Sequence, residues 1–258
     1  MRSGRRAWIG LASALAAAIA CGGATRRPAP VRVAAAADLA PAFEAMGARF
    51  TAESGKEVVF SFGASGVLAR QLAEGAPFDV FAAASVAFVD EAAASGACEA
   101  ATKRLYARGG LVMWVREGAA PASIAALADP RFVKIAIANP EHAPYGAAAR
   151  AALAAAGVWH AVAPRLVFGE NVRQALQLAE SGSADVALVS LSLVIKREGG
   201  GSWTRVAAEL HPPLVQAMAR CRGGGDAAGG AAFMRLVESA AGQEILAGYG
   251  FAPVSEER

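Results

Sequence analysis

Predicted strands and helices alternate along most of the chain, and this alternation restricts the fold more than any other feature of the sequence. Apolar runs predict strands at 31–36, 58–62 and 78–82, and apolar residues three or four apart predict helices at 39–53 and 67–74. The alternation continues with strands at 110–115, 133–137, 165–168, 185–189 and 214–219 and helices at 86–94, 123–127, 146–156, 171–181 and 231–247. This order of elements is typical of α/β proteins, in which helices cover parallel sheets.

Two glycine runs separate some of these elements. Residues 199–201 and 223–225 are all glycine, and the second run opens a glycine-rich loop predicted at 223–230. Neither run is followed by the Lys-Ser/Thr pair of a phosphate-binding P-loop, and the sequence contains no GxGxxG motif. Both runs are therefore predicted to be turns.

The composition suits a globular chain. Hydrophobic residues make up 55% of the 258 residues, yet beyond residue 21 no uncharged apolar run reaches the roughly 18 to 20 residues that a membrane-spanning helix needs. The formal charge of +3 is carried by Arg2, Arg5 and Arg6 near the N-terminus. The remainder is formally neutral and has no basic cluster, so we expect no binding to nucleic acid.

Residues 1–20 predict a secretory signal peptide. A basic start is followed by an apolar run at 8–20, and small residues precede Cys21. The segment resembles the lipobox of bacterial lipoproteins, although Ala18 stands where that motif usually has leucine. We therefore expect an exported, periplasmic or cell-envelope protein that is anchored to the membrane by a lipid on Cys21, with residues 21–30 as the lipidated N-terminus and tether. The alternative is a soluble secreted protein that is cleaved nearby.

The other cysteines and the three histidines form no motif. In an exported protein, Cys98 and Cys221 would lie in an oxidising compartment, where they either form a disulfide or remain buried free thiols. His142, His160 and His211 are far apart in the sequence and outside any metal-binding motif. The sequence therefore predicts no histidine-based metal site.

One segment approaches a serine-hydrolase motif. The stretch Gly63-Ala64-Ser65-Gly66 would need glycine in place of Val67 to form the GxSxG nucleophile elbow. A secreted hydrolase with Ser65 as nucleophile remains an alternative, and it requires a histidine within hydrogen-bond reach of that hydroxyl.

Four turns share a pattern in which a strand ends in small or polar residues and a helix begins. They contain Ala36-Ala37-Asp38, Gly63-Ala64-Ser65-Gly66, Ala143-Pro144-Tyr145-Gly146 and Glu170-Asn171-Val172. Helix N-termini have unsatisfied N–H groups and the positive end of the helix dipole, so several that face one point would bind an anion without a cationic side chain. Because ligands of open α/β sheets bind at the carboxyl ends of the strands, these turns favour an extracytoplasmic solute-binding protein.

Five segments resemble the periplasmic molybdate-binding proteins of bacterial molybdate ABC importers. They are VAAAADLAPAFEAMGARF at 33–50, FSFGASGVLARQLAEGAPFDVF at 60–81, NPEHAPYGAAARAAL at 139–153, ENVRQALQLAESGSADVALVSLS at 170–192 and AAFMRLVESAAGQEILAGYGF at 231–251. The resemblance is collinear over residues 31–252, and this extent makes it more specific than any single motif.

The resemblance implies a two-lobed fold of the type II periplasmic binding proteins. Each lobe of such a protein is a mixed α/β sheet flanked by helices, and the ligand binds in the cleft between the lobes. The chain of the family leaves the first lobe, forms the second and returns. Lobe 1 is therefore predicted to comprise residues 31–109 and 212–258, and lobe 2 residues 110–211.

The resemblance also assigns site residues. Ser65 falls on the family's second ligand-binding serine, so its hydroxyl and the N–H of Gly66 are expected to donate to the oxyanion. Tyr145 in the PYG motif and Val172 in the ENVR motif are expected to bind through backbone N–H groups, with Asn171 as a helix N-cap. No side chain is expected to ligate molybdenum itself, which enters only as the bound oxyanion.

The chain departs from the family pattern at two of the ligand positions. The family often has Ser or Ser-Asp after the alanine run, where this chain has Ala37-Asp38. Losing that hydroxyl removes a hydrogen bond of about 1 to 3 kcal/mol. We expect Asp38 to cap its own helix and to leave the N–H groups of Ala37 and Asp38 for the ligand. Ser190 replaces a tyrosine that some members have at the fourth ligand position, and it is a further candidate contact.

The resemblance implies a binding protein that is not an enzyme and needs no cofactor. It would be a monomer that binds molybdate, and also tungstate, and delivers the oxyanion to an inner-membrane molybdate ABC permease. Selection against sulfate would follow from the size of the cavity. The Ala37-Asp38 departure motivates an alternative in which the same fold binds another oxyanion or a small carboxylate.

Overall fold

Two five-stranded sheets form the framework of the protein in a computed structural model that describes residues 29–254. The predicted signal peptide and Cys21 lie outside the described residues, as does the tether up to residue 28. The strands are β1 (Val31–Ala36), β2 (Val58–Gly63), β3 (Val80–Ala83), β4 (Arg104–Gly109), β5 (Leu111–Val115), β6 (Ile135–Ala138), β7 (Leu166–Gly169), β8 (Val186–Ser190), β9 (Ser202–Arg205) and β10 (Leu214–Arg220). The helices are α1 (Ala40–Ser54), α2 (Ser65–Ala73), α3 (Val86–Ala94), α4 (Pro144–Ala155), α5 (Trp159–Val162), α6 (Val172–Glu180), α7 (Ala227–Glu238) and α8 (Ala240–Gly248).

Both sheets are mixed, which confirms the predicted fold class. The first has the strand order β2-β1-β3-β10-β4, with β1 parallel to both neighbours and β10 antiparallel to both of its own. The second has the order β7-β6-β8-β5-β9, with β6 parallel to both neighbours and β5 antiparallel to its own. The chain leaves the first sheet after Gly109 and returns to it at Leu214. The assignment of residues 31–109 with 212–258, and of 110–211, to separate lobes stays a prediction.

Several element predictions were incomplete or wrong. Strands β4 and β9 and the short helix α5 were not predicted, and the helix predicted at 123–127 is a 3-10 helix. The helix predicted at 231–247 is divided into α7 and α8 at Ser239, whose backbone is extended. The hydroxyl oxygen of Ser239 caps the start of α8, because it accepts a hydrogen bond from the N–H of Gly242. The loop predicted at 223–230 is shorter, because Gly229 and Gly230 lie in α7.

Aromatic packing fixes α1 on the first sheet. Phe43 of α1 is fully buried, and its ring centroid lies 5.5 Å from that of Phe233 in α7 and 5.9 Å from that of Phe60 in β2. Burial of such side chains contributes about 1.5 to 3 kcal/mol each. Because α1 follows β1 through a single 3-10 turn, Ala37–Leu39, this packing also holds that turn at the carboxyl end of β1.

Cys98 and Cys221 form a disulfide. The sequence left open whether these two cysteines pair or remain free thiols. The bond joins the segment after α3 to the residue that follows β10. Among residues 29–254, no helix has the length and apolar character needed to cross a membrane.

Candidate functional site

A small pocket lies where the carboxyl ends of β1, β2 and β3 face the first turns of α4 and α6. Its lining consists of Ala36, Ala37, Asp38, Gly63, Ala64, Ser65, Ala84, Ala143, Pro144, Tyr145, Asn171 and Val172. Five of the six predicted ligand residues are in this set, from four segments that are distant in the sequence. The sixth, Ser190, lies behind the pocket.

Ser65 places a hydroxyl at the pocket. It is the first residue of α2, it is fully buried, and its Oγ accepts a hydrogen bond of 3.1 Å from the N–H of Ala84. A serine hydroxyl has one proton to donate and two lone pairs. Since the contact with Ala84 uses a lone pair, the Ser65 proton remains available for an acceptor in the pocket.

The N–H of Gly66 does not face the pocket, and the expectation that it donates to the ligand is wrong. It donates instead to the carbonyl of His142, at 2.9 Å. This hydrogen bond joins α2, which packs on the first sheet, to the loop before α4, which packs on the second sheet. Each sheet with its helices is one half of the molecule. A Cβ on Gly66 would approach both this carbonyl, at 3.0 Å, and the ring of Phe88, at 2.8 Å. Gly66 therefore provides a close contact between the two halves.

Asp38 does not cap its own helix, contrary to the sequence-based expectation. It lies inside the 3-10 turn Ala37–Leu39, where neither this turn nor α1 has a side-chain cap. Its Oδ2 accepts a hydrogen bond of 2.8 Å from Nε2 of Gln216 in β10, and the residue is 1% exposed. Gln216 is not among the lining residues, so this oxygen faces away from the pocket.

Burial changes the acidity of Asp38 and of its neighbours. Desolvation raises the pKa of Asp38 to about 7, against the opposing effects of the Tyr145 hydroxyl and the Gln216 amide. Desolvation and the nearby Asp38 charge raise the pKa values of Tyr106 and Tyr145 well above that of a free tyrosine. The two phenols therefore stay neutral at physiological pH, and Asp38 titrates near neutrality.

The first turns of α4 and α6 supply backbone donors. Asn171 caps α6 as predicted, because its Oδ1 accepts from the N–H groups of Arg173 and Gln174 at 3.0 and 3.1 Å. The N–H of Val172, at the first helical position, has no intrahelical partner and lines the pocket. Tyr145 occupies the same kind of position in α4, after Pro144.

Gly146 explains how α4 can present its first turn here. A Cβ at this position would lie 2.1 Å from the carbonyl oxygen of Ala138 at the end of β6. Only glycine permits this approach of the helix to the strand, because that oxygen belongs to the backbone and cannot move aside. The glycine of the PYG motif thus sets the position of the α4 N-terminus.

Ser190 and the side chain of Tyr145 form a layer behind the pocket. Their hydroxyl oxygens are 3.0 Å apart, and Ser190 Oγ is also 2.7 Å from Oγ of Ser192. Sequence reasoning did not identify Ser192 or Gln216. A buried glutamine in the otherwise apolar core of a predicted strand is a signal that could have pointed to Gln216.

The pocket has the electrostatic character of an anion site without cationic side chains. None of the described residues that line it is a lysine or arginine. The starts of α2, α4 and α6 face it instead with the positive ends of their helix dipoles, and the first turns of α4 and α6 add backbone N–H groups. Within residues 29–254, no group of three or more His, Cys, Asp or Glu side chains is arranged to hold a metal ion.

The histidine that a Ser65 nucleophile would need is not at that hydroxyl in the described part of the chain. The nearest histidine backbone is that of His142, but its Nε2 lies 3.1 Å from the carbonyl oxygen of Glu170. The hydroxyl of Ser65 bonds the Ala84 amide instead. A base aligned with the nucleophile is the feature that defines a serine hydrolase site, and this geometry does not provide it.

Comparison with known proteins agrees with this geometry. The chain matches the family model of bacterial extracellular solute-binding proteins over residues 31–252. It is 34% identical over 221 residues to the molybdate-binding protein ModA of Rhodobacter capsulatus, covering 86% of this chain and 87% of the relative. It is 33% identical over 226 residues to ModA of Azotobacter vinelandii, covering 86% and 90% of the two chains.

A solved structure shows the same fold. The periplasmic molybdate-binding protein of Azotobacter vinelandii superimposes with a TM-score of 0.82 at 27% sequence identity, covering 87% of this chain and all of the other. The sulfate-binding protein SubI of Mycobacterium tuberculosis matches with a TM-score of 0.73 at 19% identity, which shows the likeness of fold alone. On the family match and these relatives, the chain belongs to the bacterial extracellular solute-binding proteins.

Proposed function

We propose that the protein is the extracytoplasmic binding component of an ABC importer and that it binds molybdate, and also tungstate, in the pocket. The observation that supports this most is the convergence of three helix starts and the Ser65 hydroxyl on a pocket whose described lining has no lysine or arginine. Relatives at 33 and 34% identity that bear the name molybdate-binding protein support the choice of ligand.

Binding proceeds in this proposal without making or breaking a covalent bond. Backbone N–H groups at Ala37, Asp38, Tyr145 and Val172 and the hydroxyl of Ser65 replace the water around the oxyanion. Donors that are already oriented lose little entropy on binding, so their hydrogen bonds to a charged ligand are strong. Closure of two lobes, residues 31–109 with 212–258 and residues 110–211, excludes solvent from the ligand.

Delivery and anchoring complete the proposal. The protein is exported by its signal peptide and held at the membrane by a lipid on Cys21, where it presents the oxyanion to an inner-membrane permease. A Cys21→Ser variant tests the anchor. We expect the unchanged protein to sediment with membranes and the variant to appear in the soluble fraction, and equal distribution of both would reject lipidation.

A second ligand class is motivated by the turn after β1. Ala37 stands where a serine hydroxyl would add a donor, and the buried carboxyl of Asp38 lies in the same turn. Another oxyanion or a small carboxylate is therefore the second candidate. An Ala37→Ser variant that gains molybdate affinity, together with a stronger response of the unchanged protein to another anion, would favour it.

Isothermal titration with molybdate, tungstate, sulfate and phosphate tests the ligand directly. We expect saturable heat with molybdate and tungstate at micromolar protein, and none with sulfate or phosphate at the same concentrations. Absence of molybdate heat would reject the assignment. A ranking that places sulfate or phosphate first would keep the fold and change the ligand.

A further inference from the structure

Behind the pocket, a closed chain of four polar groups joins the two halves of the molecule. The hydroxyl of Ser192 donates to the backbone carbonyl of Asp38 at 2.6 Å, and Ser192 Oγ lies 2.7 Å from Ser190 Oγ. Ser190 Oγ lies 3.0 Å from the Tyr145 hydroxyl, which in turn lies against the carboxyl of Asp38. Asp38 belongs to the turn after β1, while the other three follow or flank the second sheet, and all four are at most 4% exposed.

The donors and acceptors of this chain give the direction of its hydrogen bonds. The carbonyl of Asp38 can only accept, so Ser192 donates its proton there. Ser190 donates to the Tyr145 hydroxyl, which leaves the Tyr145 proton for the carboxyl of Asp38. The chain therefore ends at the one group in it that titrates near neutrality, the carboxyl of Asp38.

The carboxyl of Asp38 lacks a full set of partners. Its Oδ2 accepts from Gln216, but Oδ1 receives no hydrogen bond from any residue in the described range 29–254. None of the ion pairs in that range includes Asp38. A buried carboxylate without a cation or a full set of donors is strongly unfavourable. One proton on the carboxyl removes this buried charge.

We propose that Asp38 is protonated when the two halves are closed on the pocket, so that the protein takes up one proton together with its oxyanion. The inference rests on the proposed function, because the oxyanion supplies the second reason for protonation. Asp38 lines the pocket and its carboxyl lies directly behind it, so a negative charge on this group would repel a bound dianion. A neutral carboxyl group removes this repulsion.

In the described range 29–254, the groups around Asp38 that can ionise are either neutral phenols or charged residues at or near the surface. The titratable groups that act on it are Tyr106 of β4 and Tyr145 of α4, both buried and neutral. The turn of Asp38 also packs against α1, α6, β2 and the segment Leu191–Leu193. The charged residues of those elements, Glu44, Arg49, Glu53, Arg173 and Glu180, lie at or near the surface.

The direction of the pH effect follows from the acidity of Asp38. Its pKa without ligand is raised to about 7 by burial, and a bound dianion raises it further. Below about pH 7 the carboxyl is protonated in both states, so the affinity does not depend on its titration. Above that pH, binding must take up a proton, and the affinity falls by up to about tenfold per pH unit until the pKa of the complex is passed.

Calorimetric titration of molybdate into the mature protein between pH 6.5 and 9, in two buffers of different ionisation enthalpy, tests the proposal. We expect uptake of up to one proton per molybdate near pH 8 and a loss of affinity above pH 7. Any molybdate binding by Asp38→Asn should show no proton uptake and no pH dependence above pH 7, because the amide does not titrate. Glu44→Gln, an exposed carboxylate on α1, is the matched control and should behave as the unchanged protein.

The possible results distinguish the role of Asp38 from the proposed binding of molybdate. Molybdate binding with no proton uptake and equal affinity across the range would overturn the role of Asp38 and leave the proposed function intact. No molybdate binding at any pH would overturn both. If Asp38→Asn does not fold, the proton uptake measured on the unchanged protein still tests whether a proton binds with molybdate, because that measurement needs no variant.

Discussion

Replacing Ser65 with alanine tests two roles of one hydroxyl, which are to stabilise the fold and to bind the ligand. Ser65 Oγ accepts from the N–H of Ala84 and, in our proposal, donates its proton to the oxyanion. Ser65→Ala removes both hydrogen bonds and adds no volume, so the shape of the pocket is kept. Ligand affinity and protein stability should therefore fall together, for separate reasons.

The two magnitudes follow from the groups involved. A hydrogen bond to a charged ligand contributes about 1.5 to 3 kcal/mol, so Kd for molybdate should rise about 10- to 150-fold. The N–H of Ala84 is buried, and leaving it without an acceptor costs about 1 to 3 kcal/mol of unfolding free energy. For a chain of this size, each kcal/mol lowers Tm by about 2 to 4 °C.

Isothermal titration gives the change in Kd, and denaturant titration gives the change in unfolding free energy. Ser95→Ala is the matched control, because the Ser95 hydroxyl also bonds a backbone group, the carbonyl of Ala92 at 2.9 Å, but lies outside the pocket lining. We expect its Kd to equal that of the unchanged protein. A Ser65→Ala variant that loses stability but keeps Kd within threefold would refute the hydroxyl-to-ligand bond.

Two further predictions concern the glycines at the junction of β4 and β5 and the disulfide. A Cβ on Gly109 would lie 2.0 Å from the Tyr145 hydroxyl, whereas on Gly110 it would meet the flexible end of an arginine at 3.1 Å. Gly109→Ala should therefore weaken molybdate binding at least tenfold by calorimetry and Gly110→Ala should leave it unchanged, and equal Kd values for both would contradict the packing behind the pocket. Replacing Cys98 and Cys221 with alanine opens a loop closed by a bond between residues 123 apart, which should cost about 2 to 5 kcal/mol in denaturant titrations with Kd unchanged. A large rise in Kd would instead indicate that the disulfide shapes the site.

The sequence predicts all six central strands of the two sheets and misses two of the four edge strands. Strand β1 was predicted residue for residue, because five of its six residues are apolar, as is typical of a strand buried between two neighbours. Strands β4, with the sequence RLYARG, and β9, with the sequence SWTR, were missed. Both lie at the edge of their sheets, where one side is open and polar residues interrupt the apolar pattern.

The pocket could be predicted because its parts are local, and the layer behind it could not. Ser65, Tyr145 and Val172 each lie in the first turn of a helix that follows a strand, and such a position can be recognised from a few neighbouring residues. The partner of Asp38 is Gln216, which is 178 residues away, and no local pattern connects them. The prediction that Asp38 caps its helix therefore relied on propensity, while tertiary packing placed the carboxyl against β10.

The contact between Gly66 and His142 illustrates the same limit. The N–H of Gly66 lies at the start of α2, and helix N-termini generally favour binding of an anion. The opposite half of the molecule supplies a carbonyl at 2.9 Å instead. Helix starts at an interface bind whichever acceptor the packing brings to them, and the sequence does not state which one that is.

The most direct test of the central claim is a crystal structure grown with molybdate, with anomalous data at the molybdenum absorption edge. The account predicts one strong peak in the pocket between the starts of α2, α4 and α6, with ligand oxygens in hydrogen-bond range of Ser65 Oγ and the Val172 N–H. A peak beside arginine or lysine side chains elsewhere, or no peak at saturating molybdate, would contradict an oxyanion held by uncharged donors.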